Sequence, residues 1–176
     1  MGKNSSSLGV IGVLTALFAL LTGAFMLVGG VWLAAIGGSW YYIIGGIVLL
    51  ITALLIWRQK SSALVIYALL LLFTLVWGVW EVGFDFWALA PRTDVLVIFG
   101  VWLMLPFVYR RFAQNAKAGL SAIAVGVIAS ALVLAWAVFH DPQDINETIP
   151  AADNGTPAHP LRAIPDGDWP AYARDR

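Results

Sequence analysis

The segment between residues 77 and 94 holds most of the side chains in this chain that could do chemistry. It contains three tryptophans, three carboxylates and one guanidinium: Trp77, Trp80, Trp87, Glu81, Asp85, Asp94 and Arg92. An indole ring can stack on a flat conjugated ligand, and an indole N–H or a guanidinium can donate to its carbonyl oxygens. A carboxylate in a partly dehydrated site could also relay protons. These residues therefore form a candidate contact region for a lipid-soluble quinone.

An aromatic belt is the simpler interpretation of the same segment. Tryptophan and tyrosine concentrate where a membrane meets water, and Trp40, Tyr41 and Tyr42 form a second aromatic group of this kind. The carboxylates would then be solvated, with Arg92 pairing with one of them, for example Asp94. Composition alone does not identify a quinone site.

The elements that position these residues are predicted to be membrane-spanning helices. Hydrophobic residues make up 61% of the 176 and charged residues 11%, a mixture that excludes an ordinary soluble domain. Three charged clusters divide the apolar sequence into segments close to the roughly 20 residues that a spanning helix needs. We predict an all-α membrane protein, a bundle of five transmembrane helices over residues 8–36, 40–57, 63–80, 95–109 and 119–139.

Details of these helices follow from particular residues. The first helix could be broken at Gly29 and Gly30, and Pro91 is expected to stop any helix ahead of the fourth. If the third helix persisted through Phe84, then Phe73, Trp77, Trp80, Glu81 and Phe84 would share one face. Small residues spaced four apart allow close helix contact, and they mark two candidate contact faces: Thr15-Ala19-Gly23 and Ala122-Gly126-Ser130.

The distribution of charge predicts how the bundle is oriented. Six cations fall on one side of the predicted topology: Lys3, Arg58, Lys60, Arg110, Arg111 and Lys117. All ten acidic residues fall on the other side, together with Arg92. Because positively charged loops stay in the cytoplasm, we expect a cytoplasmic N terminus. We also expect residues 1–140 to form the membrane domain and residues 141–176, rich in Pro, Asp, Ala and Gly, to form an extended periplasmic linker.

Several kinds of chemistry find little support. The chain has no cysteine and two histidines, so no catalytic or metal-binding set is predicted. His140 next to Asp141 could begin a metal or acid–base pair, but a solvated histidine at a helix end is the simpler interpretation. The basic residues form no stripe suited to nucleic acid, and few ionisable residues lie inside the predicted helices, which disfavours a transporter.

Four runs of residues resemble a known family. They are AIGGSWYY at 35–42, WGVWEVGFDFWAL at 77–89 with Arg92 after it, DPQ at 141–143 and DWPAY at 168–172. Together they resemble the N-terminal membrane domain of the membrane-bound, PQQ-dependent glucose dehydrogenases, in the glucose/quinate/shikimate dehydrogenase family. The resemblance covers essentially the whole chain.

The resemblance implies a five-helix anchor in the bacterial inner membrane, followed by a periplasmic eight-bladed propeller. The propeller would bind PQQ and calcium and oxidise glucose to gluconolactone, and electrons would pass to ubiquinone and the respiratory chain. No cofactor is expected in these 176 residues, and the lipid bilayer, ubiquinone and the propeller are the expected partners. The alternative is a small stand-alone membrane protein, without catalytic activity, that docks or assembles a partner.

Overall fold

A computed structural model describes residues 8–140, and over that range its regular structure is helical. The helices are α1 (Gly9–Ala35), α2 (Tyr41–Trp57), α3 (Ser62–Val82), α4 (Phe86–Met104), the one-turn α5 (Pro106–Tyr109) and α6 (Lys117–Phe139). Four of them, α1, α3, α4 and α6, are long and apolar enough to cross a membrane, and α2 is a shorter apolar helix of 17 residues. The predicted all-α membrane fold is confirmed. Lys3 and the predicted linker at 141–176 lie outside the described residues.

The helices are apolar on all sides, which is typical of segments that contact both protein and lipid. Large side chains point away from the bundle along α1, where Phe25, Val28 and Trp32 are mostly exposed. A helix satisfies its own backbone hydrogen bonds, as hydrocarbon requires. Chain reversals occur at glycines with positive φ: Gly37 (φ 86°) follows α1, and Gly83 (φ 67°) follows α3.

Glycines allow α1 and α2 to pack backbone against backbone. A Cβ atom placed on Gly46 would lie 2.6 Å from the backbone nitrogen of Leu27, and one on Gly23 would lie 3.0 Å from that of Leu50. A Cβ on Gly30 would meet the backbone of Ile43. The α1 helix is continuous through Gly29 and Gly30, so the expected break does not occur.

The third helix lies at the centre of the bundle and packs against α2, α4 and α6. Its Tyr67 is fully buried and donates a hydrogen bond to the Leu96 carbonyl of α4. Phe99 of α4 then contacts Phe18 of α1, with ring centroids 4.9 Å apart, so α1, α2, α3 and α4 enclose a common core.

Both small-residue faces predicted from sequence are contact faces. Thr15, Ala19 and Gly23 are buried on α1, and Trp102 of α4 donates its indole N–H to the Thr15 hydroxyl oxygen at 3.1 Å. On α6, Gly126 packs against Leu71 of α3. Ser130 is buried as well.

The prediction for the fourth helix was wrong. It begins at Phe86 rather than at 95, and it ends at Met104. Pro91 does not stop it, although it lies inside the helix as its sixth residue, where it lacks the N–H that would bond to the Trp87 carbonyl. Asp85 caps the first turn ahead of it. Residues 106–109 form the separate α5, since Leu105 adopts an extended conformation with ψ 129°.

Charge is segregated between the two ends of the bundle. One end, which we call the acidic end, contains the α3–α4 junction with Glu81 and Asp85. Asp94 lies within α4, about 12 Å along the helix from its start. The opposite end, which we call the basic end, contains the α2–α3 turn and the segment between α4 and α6. It carries Arg58, Lys60, Arg110, Arg111 and Lys117.

Candidate functional site

An ion pair joins α3 to α4 at the acidic end. Nε of Arg92 lies 3.4 Å from Oε2 of Glu81, and the two side chains are 24% and 25% exposed. Arg92 also donates through Nη1 to the Ala88 carbonyl at 2.5 Å. The expected pairing with Asp94 was wrong, because residues two apart on a helix point in nearly opposite directions. The guanidinium is therefore fixed between two helices.

The remaining charged candidates have local structural roles. Asp85 accepts a hydrogen bond from the Ala88 backbone N–H at 3.1 Å and so caps the start of α4. Asp94 accepts one from the Val95 N–H at 2.5 Å at an exposed position. Trp87 is 74% exposed and packs edge-on against Phe86, as an aromatic belt residue would.

Aromatic rings continue from α3 onto α2. The ring of Trp77 lies 5.3 Å from that of Trp80 and 5.5 Å from that of Phe73. Tyr41, at the start of α2, stacks on Phe73 at 6.1 Å. The predicted stripe on α3 is thus present from Phe73 to Trp80, but Phe84 is not part of it, because α3 ends at Val82.

The sequence predicts Tyr41 as a residue of the aromatic belt, and that prediction was wrong because Tyr41 is buried inside the bundle. It is 2% exposed, and its hydroxyl lies 2.8 Å from that of Thr74 in α3. Thr74 has one hydroxyl hydrogen, which it donates to the Leu70 carbonyl at 2.8 Å. Tyr41 must therefore be the donor to Thr74, which leaves its O–H unavailable for a ligand.

Trp77 differs from Tyr41 in having a donor to spare. Its Nε1 is buried and, within residues 8–140, makes no hydrogen bond. A buried donor without an acceptor costs about 1–3 kcal/mol. A carbonyl oxygen brought to this position would remove that cost. The Nε of Arg92 is also buried without a hydrogen bond, but it lies 3.4 Å from Oε2 of Glu81, its ion-pair partner.

An apolar groove of about 290 Å³ runs between α2 and α3. It is lined by Ile44, Val48, Ile51, Ile66, Leu69, Leu70 and Phe73. Phe73 lines the groove and its ring lies 5.5 Å from that of Trp77, which is not itself a lining residue. Its walls offer only hydrocarbon and one aromatic ring.

The described residues contain no group of three or more His, Cys, Asp or Glu side chains that could hold a metal ion. His140 stacks on Trp136, with ring centroids 3.7 Å apart, and its Nδ1 lies 3.1 Å from the Trp136 carbonyl oxygen. It is a residue of the helix end, as the simpler interpretation expected. Asp141, its proposed partner, lies outside the described range.

Sequence reasoning missed the groove and the role of Tyr41 and Thr74. Tyr41 was assigned to the membrane surface because of its aromatic neighbours. Thr74 gave no warning, because a threonine inside an apolar helix can satisfy its hydroxyl on the carbonyl four residues before it, as Thr52 and Thr93 also do. The groove has no sequence signal of its own. It depends on how far apart α2 and α3 lie.

Comparison with known proteins gives clear relatives. The chain is 53% identical over 174 residues to quinoprotein glucose dehydrogenase of Escherichia coli (strain K12), covering 99% of this chain and 22% of that protein. It is 41% identical over 163 residues to quinoprotein glucose dehydrogenase A of Acinetobacter calcoaceticus, covering 91% and 20%. The chain thus spans about a fifth of the length of these curated relatives.

A third relative is much shorter. The chain is 36% identical over 105 residues to the glycerol dehydrogenase small subunit of Gluconobacter thailandicus, which covers 60% of this chain and 83% of that protein. No protein-family model matches the chain, and no solved structure matches it.

Proposed function

Since the chain belongs to the family of N-terminal membrane domains found in the quinoprotein glucose dehydrogenases and their quinate/shikimate dehydrogenase relatives, we propose that it is the membrane anchor and ubiquinone-docking module of such an enzyme. The PQQ and calcium would be held by a propeller domain following residue 176. That domain would oxidise glucose to gluconolactone in the periplasm. This chain's own task is to hold the enzyme on the inner membrane and to receive the quinone.

The buried Nε1 of Trp77 is the observation that supports quinone docking best. It is a donor without an acceptor among the described residues, and it lies beside Phe73, which lines the apolar groove. We assign the groove to the isoprenoid tail and Trp77 to a quinone carbonyl. Tryptophans at the surface, such as Trp80 and Trp87, would frame the entrance.

The other candidates support this arrangement indirectly. Arg92 is fixed by Glu81 and by the Ala88 carbonyl, so it would act through its charge at the headgroup end. Asp85 and Asp94 accept hydrogen bonds from backbone N–H groups. Glu81 directly follows Trp80 in the helix that carries Trp77, so we propose Glu81, rather than either aspartate, as the proton relay.

A titration with a short-chain ubiquinone analogue tests the proposal. Quinone binding quenches tryptophan fluorescence, and Trp77→Phe keeps the ring while removing the N–H. We expect about fivefold weaker binding, equivalent to about one hydrogen bond. Trp136→Phe is the matched control, because Trp136 is an exposed tryptophan of another helix. Equal affinity in wild type and both variants would leave the aromatic belt as the explanation.

The shorter relative favours a second candidate, a stand-alone subunit that docks a separate catalytic partner. A glycerol dehydrogenase small subunit matches this chain over most of its own length, so related modules exist as separate proteins. The reading frame after Arg176 distinguishes the two. Continuation into propeller repeats supports the fused anchor, and a stop codon supports the separate subunit.

A further inference from the structure

A cavity of about 470 Å³ opens at the basic end, away from the proposed quinone site. It is lined by Pro106, Phe107, Arg110 and Arg111. The cavity exists because the chain breaks at Leu105 and restarts as α5, which packs against α1. Phe107 is 49% exposed, so the cavity combines two guanidiniums with an apolar wall.

Arg111 lies over the start of α1. A Cβ atom on Gly9 would be 3.6 Å from Nη1 of Arg111, and one on Gly12 would be 3.5 Å from its Cβ. The first turn of a helix has unpaired N–H groups and a partial positive charge. The first turn of α1 carries no acidic residue. A guanidinium placed there is unfavourable unless an anion lies close to both.

The described part of the chain supplies no such anion. None of its three carboxylates lies at the basic end: Glu81 and Asp85 lie at the α3–α4 junction, where Glu81 pairs with Arg92, and Asp94 lies within α4. Neither Arg110 nor Arg111 forms an ion pair within residues 8–140. Among residues 8–140, the five cations at the basic end therefore have no carboxylate counterion.

We propose that this cavity binds the headgroup of an anionic phospholipid. The phosphate would lie between Arg110 and Arg111, close enough to Arg111 to offset its charge beside the start of α1, and an acyl chain would pack on Phe107. Basic pockets between transmembrane helices are suited to such headgroups, and arginine offers planar paired donors to a phosphate. The apolar wall selects a lipid over free phosphate, because only a lipid has a chain to cover Phe107.

Native mass spectrometry of the purified 176-residue chain tests this assignment. Phosphatidylglycerol and phosphatidylcholine with the same acyl chains are added, and bound lipids are counted. We expect one phosphatidylglycerol per chain, held far more tightly than phosphatidylcholine. Arg110→Gln with Arg111→Gln should weaken it about thirtyfold, from about fivefold for each basic residue at a membrane surface. Helix content by circular dichroism confirms that each variant is folded.

The matched control changes two cations at the same end that do not line the cavity. Arg58→Gln with Lys60→Gln removes the same charge and should leave the single tight lipid in place. Equal loss in both double variants would mean general surface attraction and would overturn the site. The double variant Arg110→Lys, Arg111→Lys keeps the charge and should bind phosphatidylglycerol with an affinity between those of wild type and the double glutamine variant. Unchanged affinity in the variant Arg110→Gln, Arg111→Gln would also overturn the site.

Two further arms separate a lipid from a free anion. Phe107→Ala should weaken phosphatidylglycerol binding severalfold, because the acyl chain loses its apolar wall. Inorganic phosphate or glycerol 3-phosphate, added at the same concentration as phosphatidylglycerol, should fail to displace it. Displacement by either one would show that the cavity recognises phosphate alone, and the proposal for a lipid would be rejected.

Discussion

Gly30 of α1 lies directly against the backbone of Ile43 in α2. A Cβ on Gly30 would be 2.7 Å from the Ile43 nitrogen, whereas Gly29 has nothing within 4 Å of the same position. Two neighbouring glycines in one helix thus have opposite surroundings. Their comparison isolates the effect of close helix contact.

We expect Gly30→Ala to destabilise the bundle by at least about 2 kcal/mol, because overpacking against a backbone forces the helices apart. Gly29→Ala should be neutral or stabilising by up to about 1 kcal/mol, since alanine favours the helix. Thermal unfolding of both variants in one detergent measures the difference. Similar melting temperatures for the two would contradict the backbone contact.

The Glu81–Arg92 ion pair can be measured with a double-mutant cycle. Glu81→Gln and Arg92→Gln should each cost about 1–2 kcal/mol, because each leaves a partly buried charge unpaired. The double variant should cost less than the sum by about 1 kcal/mol. Asp94→Asn serves as the control and should change stability by less than about 0.5 kcal/mol. Strict additivity of the pair would show that the two charges do not interact.

Asp85 tests whether a carboxylate of the candidate region acts in proton transfer or in folding. Asn caps helices about as well as Asp, so Asp85→Asn should preserve both stability and quinone binding. Asp85→Ala should lose about 1 kcal/mol through the missing cap. Both are followed by thermal unfolding and by quinone titration. A large functional loss in the asparagine variant alone would restore Asp85 as a proton carrier.

Single-cysteine labelling tests the proposed orientation. The chain has no cysteine, so Phe84→Cys at the acidic end and Asn115→Cys at the basic end each introduce one unique thiol. A membrane-impermeant maleimide added to spheroplasts should label Phe84→Cys, because the acidic end is expected to face the periplasm. Asn115→Cys should react only after the membrane is opened. The reverse pattern would invert the topology.

Much of the fold could be predicted because hydrocarbon leaves few alternatives to a helix. Apolar segments bounded by Arg58, Lys60 and the cluster at 110–117 gave four of the five long helices within about two residues. The fourth failed because Pro91 and Arg92 were read as a boundary. Asp85 was the local sequence signal for the start of α4, because aspartate is a favoured N-cap residue. In the structure it accepts the Ala88 N–H.

The candidate site was less accessible to sequence reasoning. The stripe from Phe73 to Trp80 follows from helical spacing, but the partner of Arg92 depends on how α3 and α4 cross. Because Tyr41 stands between Trp40 and Tyr42, it was predicted at the membrane surface, whereas its side chain is buried and bonds to Thr74. Likewise the contact between Gly30 and Ile43 depends on the distance between α1 and α2, which cannot be read from the sequence of either helix alone.

The unequal lengths of α1 and α2 have a consequence for the surrounding lipid. At 1.5 Å per residue, the 27 residues of α1 extend about 40 Å and the 17 of α2 about 26 Å. Their glycine contacts prevent one from tilting independently of the other, so tilt alone cannot match both to a hydrocarbon layer about 30 Å thick. We expect the ends of α1 to extend into the headgroup region while the bilayer thins beside α2, so membrane thickness influences which membranes accommodate the protein.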